Sequence, residues 1–433
     1  THVRLALTNK VPVTPVRGAG HPQGVFVMER LMDRVASELG IERDEVRRRN
    51  LIPGDKMPYE KPLKTRGGMP VVLDSGDYPV CQQSALDKAD WAGFRARQKQ
   101  ARAEGRYIGI GLANYVKGTG RGPFESVTVR IGPSGKIHVY TGGTAIGQGT
   151  HTMMAQIVGE KFGGDMENIT VTAGDTGTIS LGIGTSNSRL AVVAGSSAHV
   201  AAEKVRDKAL KVAAHMLEAS EEDLEIENGE IHVRGVPDLK VTLGQVAHAV
   251  GGTPGYALPG GIEPGMEATE HVVLDNLAFA CGTAVVEVEV DIETGGVKIL
   301  NYVISHDSGT IINPMIVDGQ VQGGTAHGIG NTLYEWMGYD ADANPVTTNF
   351  AEYLLISSTE MPNIDIIHHE SPSPLNPLGV KGVGECGVVP APSAIISAVE
   401  DALKPFDVHL TRAPLMPSEI IEVIAGAKNS GAA

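Results

Sequence analysis

The placement of glycine constrains this chain more than any other feature. Its 433 residues include 54 glycines, and the densest groups fall in polar stretches: 142–149 (GGTAIGQG), 182–188 (GIGTSNS), 319–330 (GQVQGGTAHGIG) and 377–387 (PLGVKGVGECG). Glycine tolerates positive φ and lets another backbone or a ligand come close. A chain with several such stretches must fold around many tight turns. Backbone N–H groups in glycine turns at helix starts can also hold a large anionic ligand.

Regular alternation runs between these stretches. Val127, Val129 and Ile131 alternate, a Gly132-Pro-Ser-Gly135 turn follows, and Ile137 and Val139 return, which predicts a β-hairpin. It leads into 142–149 and a helix opening near Thr150. A second hairpin is predicted from Val286, Val288, Val290 and Ile292, a turn at Thr294-Gly295-Gly296, and then Val297 and Ile299; it leads to 319–330, read as a loop. The order hairpin, polar glycine loop, helix therefore occurs twice, a weak internal repeat.

Further elements are expected elsewhere. Met28, Leu31, Met32, Val35 and Leu39 recur at helical spacing and Gly40 closes that helix. A short helix at 44–50 carries Arg47, Arg48 and Arg49, read as a solvated basic face. Residues 3–7 read as a strand, 53–75 as a Pro/Gly-rich linker, 82–105 as one charged helix, 190–218 as a long Ala/Val-rich helix and 391–403 as another. Strands and helices without regular βαβ alternation predict an α+β class, with mixed sheets and packed helices.

Composition excludes some functions. With 42% hydrophobic and 20% charged residues the chain has an ordinary globular balance, long enough for two domains. A formal net charge of -15 argues against nucleic-acid binding, which needs a basic footprint. No apolar run approaches the roughly 18 residues of a membrane span. Cys81, Cys281 and Cys386 form no CxxC pair, so a complete four-cysteine zinc or iron–sulfur site is excluded, and the sparse count fits a reducing compartment, the cytoplasm. Thr1 opens a strand-like stretch without initiator Met or signal peptide, which reads as a fragment, a piece of a split protein, or the result of leader removal.

Several stretches can carry chemistry. In 142–149, Gln148 adds an amide with donors and an acceptor, and the absence of a following GK[ST] rules out a Walker loop. Residues 182–188 can cap a helix or grip a phosphate. Gln320 and Gln322 follow a turn at Asp307, Ser308 and Gly309. Glu385 sits among glycines and small apolar residues just ahead of a helix; a carboxylate in a tight apolar loop is costly without a task, an exposed loop glutamate being the alternative. Asp340, Asp342 and Asn344 resemble a calcium loop, but Pro345 stands where glycine is needed, so they read as a surface turn. His368-His369-Glu370 is not HExxH, and His151 and His327 stand alone.

Taken in order, VRGAGHPQG, GGTAIGQGTHT, GDTGTISLGIGTSNS, DSGTIINPMIVDGQVQGG and PLGVKGVGECG resemble the molybdenum-cofactor (large) subunit of the xanthine dehydrogenase and aldehyde oxidase family of molybdenum hydroxylases, across nearly all of the chain. The match is to roughly the C-terminal half of that subunit. The resemblance implies the molybdopterin-binding fold, with 1–110 as the C-terminal part of a first molybdopterin-binding domain and 111–433 as the second. It implies molybdopterin cytosine dinucleotide, whose molybdenum carries oxo, sulfido and hydroxo ligands and is held by the pterin dithiolene, with no protein metal ligand. It also implies [2Fe-2S] centres and FAD on partner chains: an iron–sulfur subunit, a flavin subunit, and a chain with the N-terminal half of the molybdenum subunit. Carried over residue by residue, Glu385 matches the general base. Gly147, Gln148 and Gly149 lie beside the metal and pterin, and Arg17 lies on the loop beneath the metal. Asn187 and Ser188 contact the pterin or its phosphates, and Gln320 binds the cofactor further along. The implied reaction is hydroxylation of an electron-poor carbon with oxygen from water, two electrons leaving through the iron–sulfur centres to the flavin.

Departures narrow the substrate. A glycine motif with phenylalanine beside the metal, found in the family's N-terminal half, is missing. Gly18 stands where carbon monoxide dehydrogenases of the family have cysteine, which argues against CO oxidation. Ala19 stands where purine-oxidising members have an aromatic; Tyr115 and Phe124 are candidates to replace that wall, but a core role is the preferred reading for each. The expected substrate is an N-heteroaromatic compound or an aldehyde. Two rival readings are a non-catalytic scaffold subunit and a nucleotide- or anion-binding module.

Overall fold

The computed structural model describes residues 4, 6–8, 10, 12–65, 68–164, 166–252, 258 and 261–430. Two four-stranded sheets dominate, and they share one topology. In the first, Ser126–Ile131 and Ile137–Thr141 form the antiparallel hairpin, the helix Thr150–Lys161 crosses over, and Ile169–Ala173 returns parallel to Ile137–Thr141; Glu267–His271 lies along the other edge. In the second, Ala278–Val290 and Val297–Asp307 form the hairpin, the helix Pro314–Leu333 crosses over, and Ile364–His369 returns parallel to Val297–Asp307; Tyr107–Thr119 lies along the other edge. The repeat expected from the sequence is thus hairpin, crossover helix and parallel strand, and the α+β class holds. Among the described residues there are also two small sheets, Tyr59–Lys64 with Pro70–Leu73, and Leu224–Glu227 with Glu230–Val233 and Val236–Thr242.

Each large sheet is covered by a helix with small side chains. Val127, Val129, Ile131, Ile137 and Val139 of the first pack in one core with Ala194, Ala198, Ala201 and Val205 of the helix Leu190–Leu217. On the second, the helix Ala391–Ala402 lies against Tyr107–Thr119 at close range. A Cβ at Gly109 would lie 2.1 Å from the Ala398 carbonyl oxygen, and one at Gly111 2.2 Å from that of Ala394. Any side chain there would push the helix off the sheet. Alternate strand residues share a face, so the face that meets this helix continues through Ala113 and Tyr115 to Lys117 and Thr119.

Some elements depart from the sequence reading. Residues 319–330 are not a loop but lie inside the helix Pro314–Leu333. Their glycines permit helix packing: Gly324 and Gly387 touch backbone to backbone, and a Cβ at Gly328 would lie 2.4 Å from the Ala391 Cβ. Residues 53–75 hold the small hairpin where a linker was expected. The single helix over 82–105 is two, Tyr78–Lys88 and Trp91–Ala103, parted at Asp90, whose φ is 50° and whose side chain accepts the Gly93 N–H. The strand at 3–7 falls largely outside the described residues, and residues 4, 6 and 7 have no regular structure.

The helix His21–Leu39 ends at Gly40 as expected, with φ 64°, but its burial is inverted. Met28, Leu31 and Leu39 are 57%, 52% and 63% exposed, whereas Glu29, Arg30 and Asp33 are buried. Arg47 is a correction to the solvated basic face: it is buried and donates to Glu29 Oε2 at 2.6 Å and Asp33 Oδ1 at 2.8 Å. Arg30 bridges Asp33 and Glu400, both at 2.5 Å, and so ties this helix to Ala391–Ala402. Arg48 and Arg49 are exposed and pair with Glu45.

The close helix–sheet contact makes Gly111→Val destabilising by about 2 kcal/mol or more, as overpacking does. Gly24→Ala, at a helical position with nothing within 4 Å of the added Cβ, raises stability by up to about 1 kcal/mol. Thermal denaturation of both variants checks the contrast; equal melting temperatures would refute the packing account.

Candidate active site

Glu385 lies in the turn that precedes the helix Ala391–Ala402 and is only 8% exposed. Gly18 N–H donates to its Oε1 at 2.8 Å, and the Ser188 hydroxyl donates to its Oε2 at 2.7 Å. The Lys117 ammonium, 0% exposed, pairs with Oε2 at 2.7 Å. Burial alone would raise the carboxyl, but the Lys117 charge and the Ser188 and Gly18 donors outweigh it and hold Glu385 below the usual carboxylate range. The exposed-loop alternative is therefore set aside: the group is a buried anion at neutral pH.

Lys117 reaches this place because its strand face runs on from the two glycines that seat the helix. Next along that face, the Thr119 hydroxyl accepts the Gly382 N–H at 2.9 Å and so anchors the turn. A Cβ at Gly382 would strike the Ser188 carbonyl oxygen, so the turn and residue 188 are in direct contact.

Arg17 closes the site from a third direction. Its Nε donates to the Gly384 carbonyl at 2.6 Å, and its Nη2 to the carbonyl and Oε1 of Gln320 at 3.0 and 3.1 Å. The chain then turns through Gly18, Ala19 and Gly20 at φ 99°, 45° and 90°. A Cβ at Gly18 would lie 2.7 Å from Pro22, so the positive φ and the crowding both select glycine. Arg17, Ser188, Gln320 and Glu385 are thus gathered from four distant segments.

The polar glycine stretches meet beside them. Glu125 is fully buried and accepts the N–H groups of Ile183 and Gly184 at 3.1 and 3.0 Å, while Arg189 Nη1 pairs with it at 2.5 Å. Arg189 also donates to the carbonyls of Arg121, Phe124 and Gly184. This pair sets the path of 182–188, in which Asn187 and Ser188 take φ 48° and 49°. The Thr185 hydroxyl donates to the Thr144 carbonyl at 2.5 Å, joining that turn to 142–149. Gly149 caps the helix Thr150–Lys161, and a Cβ on it would lie 2.7 Å from Ile316 in the first turn of Pro314–Leu333. Asn313, which caps the second helix, donates to Gln156 of the first at 2.9 Å. The two crossover helices of the repeat therefore start side by side, their N-terminal ends together, and that favours an anion.

Not every predicted residue joins directly. Gln148 braces its own loop, donating to the Thr144 carbonyl at 3.0 Å and accepting the Ile146 N–H at 2.7 Å. Gly147, at φ 100°, has nothing within 4 Å of an added Cβ and leaves its backbone open. Among the described residues, the Asn187 side chain donates to Ser186 Oγ alone, at 3.3 Å. Ala19 is exposed. Tyr115, at 3% exposed, packs with Ala280, Cys386 and Val388, which is the core role preferred for it over an open wall. Phe124 is half-buried and stands edge-on to His271 at 5.8 Å. Burial pushes the neighbouring Cys386 thiol up to about 11, which keeps it neutral. Among the described residues, no three His, Cys, Asp or Glu side chains cluster so as to hold a metal.

Sequence reading missed Lys117, Glu125 and Arg189. A signal existed for the first, since a lysine in register with Gly109, Gly111 and Ala113 must point into the helix-covered face. None existed for the Glu125–Arg189 pair, whose members are 64 residues apart.

Comparison with known proteins bears on this geometry. Residues 84–362 match the family model described as a molybdopterin cofactor-binding domain, and residues 1–51 match a second family model of the same description. The chain is 38% identical over 420 residues to the gamma subunit of the 6-hydroxypseudooxynicotine dehydrogenase complex of Paenarthrobacter nicotinovorans, covering 97% of this chain and 52% of that one. It is 35% identical to the nicotine 6-hydroxylase large subunit of the same organism, with 97% and 52% covered. The quinoline 2-oxidoreductase of Pseudomonas putida 86 superposes with a TM-score of 0.86 at 36% identity, covering 96% and 54%. The Cu,Mo-CO dehydrogenase does so at 0.85 and 30%, covering 95% and 53%. The chain spans about half the length of the curated relatives it matches.

Glu125→Gln would leave the buried Arg189 guanidinium without its counter-charge, at a cost of about 3–5 kcal/mol. The expected result is a lower melting temperature with faster hydrogen exchange at the Ile183 and Gly184 amides; unchanged exchange there would refute the pair's hold on the loop.

Proposed function

The chain belongs to the molybdopterin cofactor-binding family of molybdenum hydroxylase large subunits, and on that premise we propose that it carries the catalytic site of such an enzyme, with Glu385 as the general base. The observation that carries this reading is the buried, ionised carboxylate of Glu385, gathered with Arg17, Ser188 and Gln320.

The residues fit the cofactor. Amides, hydroxyls and one guanidinium suit an anionic pterin dinucleotide, and two adjoining helix starts suit its phosphates. Gly147 and Gly184, both at positive φ with open space around them, leave backbone accessible to a large ligand. In this reading Gly147, Gln148 and Gly149 lie against the pterin, Asn187 and Ser188 against the pterin or phosphates, and Gln320 further along. Arg17 holds the floor of the site. In this reading the metal would take its ligands from the cofactor. We propose the cytosine dinucleotide as the form bound.

When bound, the molybdenum centre supplies the transferred oxygen and takes up an electron pair. This chain's part is to accept the proton. A base works best already ionised and fixed in place, and Glu385 is both. The low pKa keeps it in that state as pH falls, and the base is lost only when pH drops through that depressed value.

The substrate class we favour is an electron-poor carbon in an N-heteroaromatic ring or an aldehyde, since the relatives are named for nicotine and quinoline. Crowding at Gly18 argues against the cysteine of the CO-oxidising relatives. We take residues 1–110 as the end of a first molybdopterin-binding domain and 111–433 as the second. A partner bearing the rest of the relatives' length fits the exposed Met28, Leu31 and Leu39. The [2Fe-2S] and FAD subunits complete the electron path. No helix among the described residues is long and apolar enough to cross a membrane, and three free, buried cysteines suit a reducing cytoplasm.

In the assembled complex, Glu385→Gln is expected to lower turnover of an N-heteroaromatic substrate with a dye acceptor by about 10²-fold or more. Molybdenum content and the mass of the released cofactor should stay unchanged. Full turnover by the loaded variant would end the proposal.

A further inference from the structure

Lys117 is 0% exposed, and among the described residues its ion pair is with Glu385 Oε2, at 2.7 Å. A buried ammonium is costly, and an apolar chain of similar length would fill the same space. Packing therefore does not explain a lysine at this position. Its strand is also the wrong place for an accidental contact, since the neighbouring glycines fix the helix and the turn that carry Glu385.

The two carboxylate oxygens are engaged unequally. Oε2 accepts the Ser188 hydroxyl and meets the Lys117 ammonium as an ion pair, whereas among the described residues Oε1 accepts the Gly18 N–H alone. Each carboxylate oxygen has two lone-pair sites. Oε2 is therefore crowded by a donor and a cation, and Oε1 is the more open oxygen.

We propose that Lys117 is the positioning residue of this base: its charge holds Glu385 as the anion and, with the Ser188 hydroxyl, occupies the Oε2 side, so that the proton is accepted at Oε1. This rests on the reading of Glu385 as the base. The other titratable groups around the pair are Arg17 and His21 from the N-terminal loop and helix, Cys386 from the same turn, Tyr115 from the same strand, and Arg121. Tyr115 and Cys386 are neutral at pH 7, for burial raises both. Burial and the Lys117 charge lower His21, so it does not replace Lys117 as a cation near neutral pH.

The test uses the assembled, cofactor-loaded complex. Lys117→Met removes the charge, Lys117→Gln removes it but keeps a donor, and Lys117→Arg keeps it. Two readouts are followed: the pH profile of kcat/KM, and an infrared titration of the Glu385 carboxyl, assigned by difference from Glu385→Gln. Lys117→Met and Lys117→Gln should both move the acid limb and the carboxyl titration to higher pH, by about one unit or more. Lys117→Arg should restore most of that shift. A purely structural lysine would change stability without moving either midpoint. If Lys117→Met does not fold, Lys117→Gln decides the matter alone. An unmoved infrared titration in the charge-free variant overturns the proposal whatever the activity. A moved titration beside undiminished turnover in Glu385→Gln instead overturns the base assignment, and with it the catalytic role of the lysine, while leaving the pairing intact.

Discussion

The contact between the helix Ala391–Ala402 and the strand Tyr107–Thr119 sets the position of everything around Glu385. At Gly109 and Gly111 the helix carbonyls come within about the reach of a single carbon of the strand, so neither partner can slide without collision. The turn before the helix is thereby laid over the far end of the same strand face. There Thr119 holds Gly382, and Lys117 meets the carboxylate. Two absent side chains at one end of a strand thus fix an ion pair at the other.

Much of this was legible in the sequence and some was not, for definite reasons. The hairpins, the long helix Leu190–Leu217 and the helix after Glu385 declared themselves through period and turn chemistry. Residues 319–330 misled because glycine serves both turns and close packing, and local sequence does not say which. Gln320 was placed correctly in sequence and wrongly on a loop; on the helix it meets Arg17. The helix His21–Leu39 misled in the opposite sense. Its apolar period was plain, but its charged face found partners in Arg47 and Glu400, which lie outside any local window. The bare Glu385 signal was ambiguous between a buried base and a surface loop until two donors and a buried ammonium were seen around it.

The Glu125–Arg189 and Lys117–Glu385 pairs do different work in the same core. Arg189 spends its donors on three backbone carbonyls, and Glu125 accepts two backbone N–H groups, so that pair is a frame for a loop. The other pair places its charge against one carboxylate oxygen and leaves the second with the Gly18 N–H alone. Buried pairs often add little net stability, which makes geometric specificity the better account of both.

The duplicated topology has an electrostatic consequence. Reusing one unit twice brings the starts of two crossover helices together, at Gly149 and Ile316, within a chain whose formal charge is -15. Attraction toward those helix ends is short-ranged, whereas the overall field repels a negatively charged visitor. Under physiological salt that repulsion fades beyond about 8 Å. Capture of an anionic ligand by this chain should therefore quicken as ionic strength rises, the reverse of ordinary electrostatic steering, until screening also reaches the helix ends.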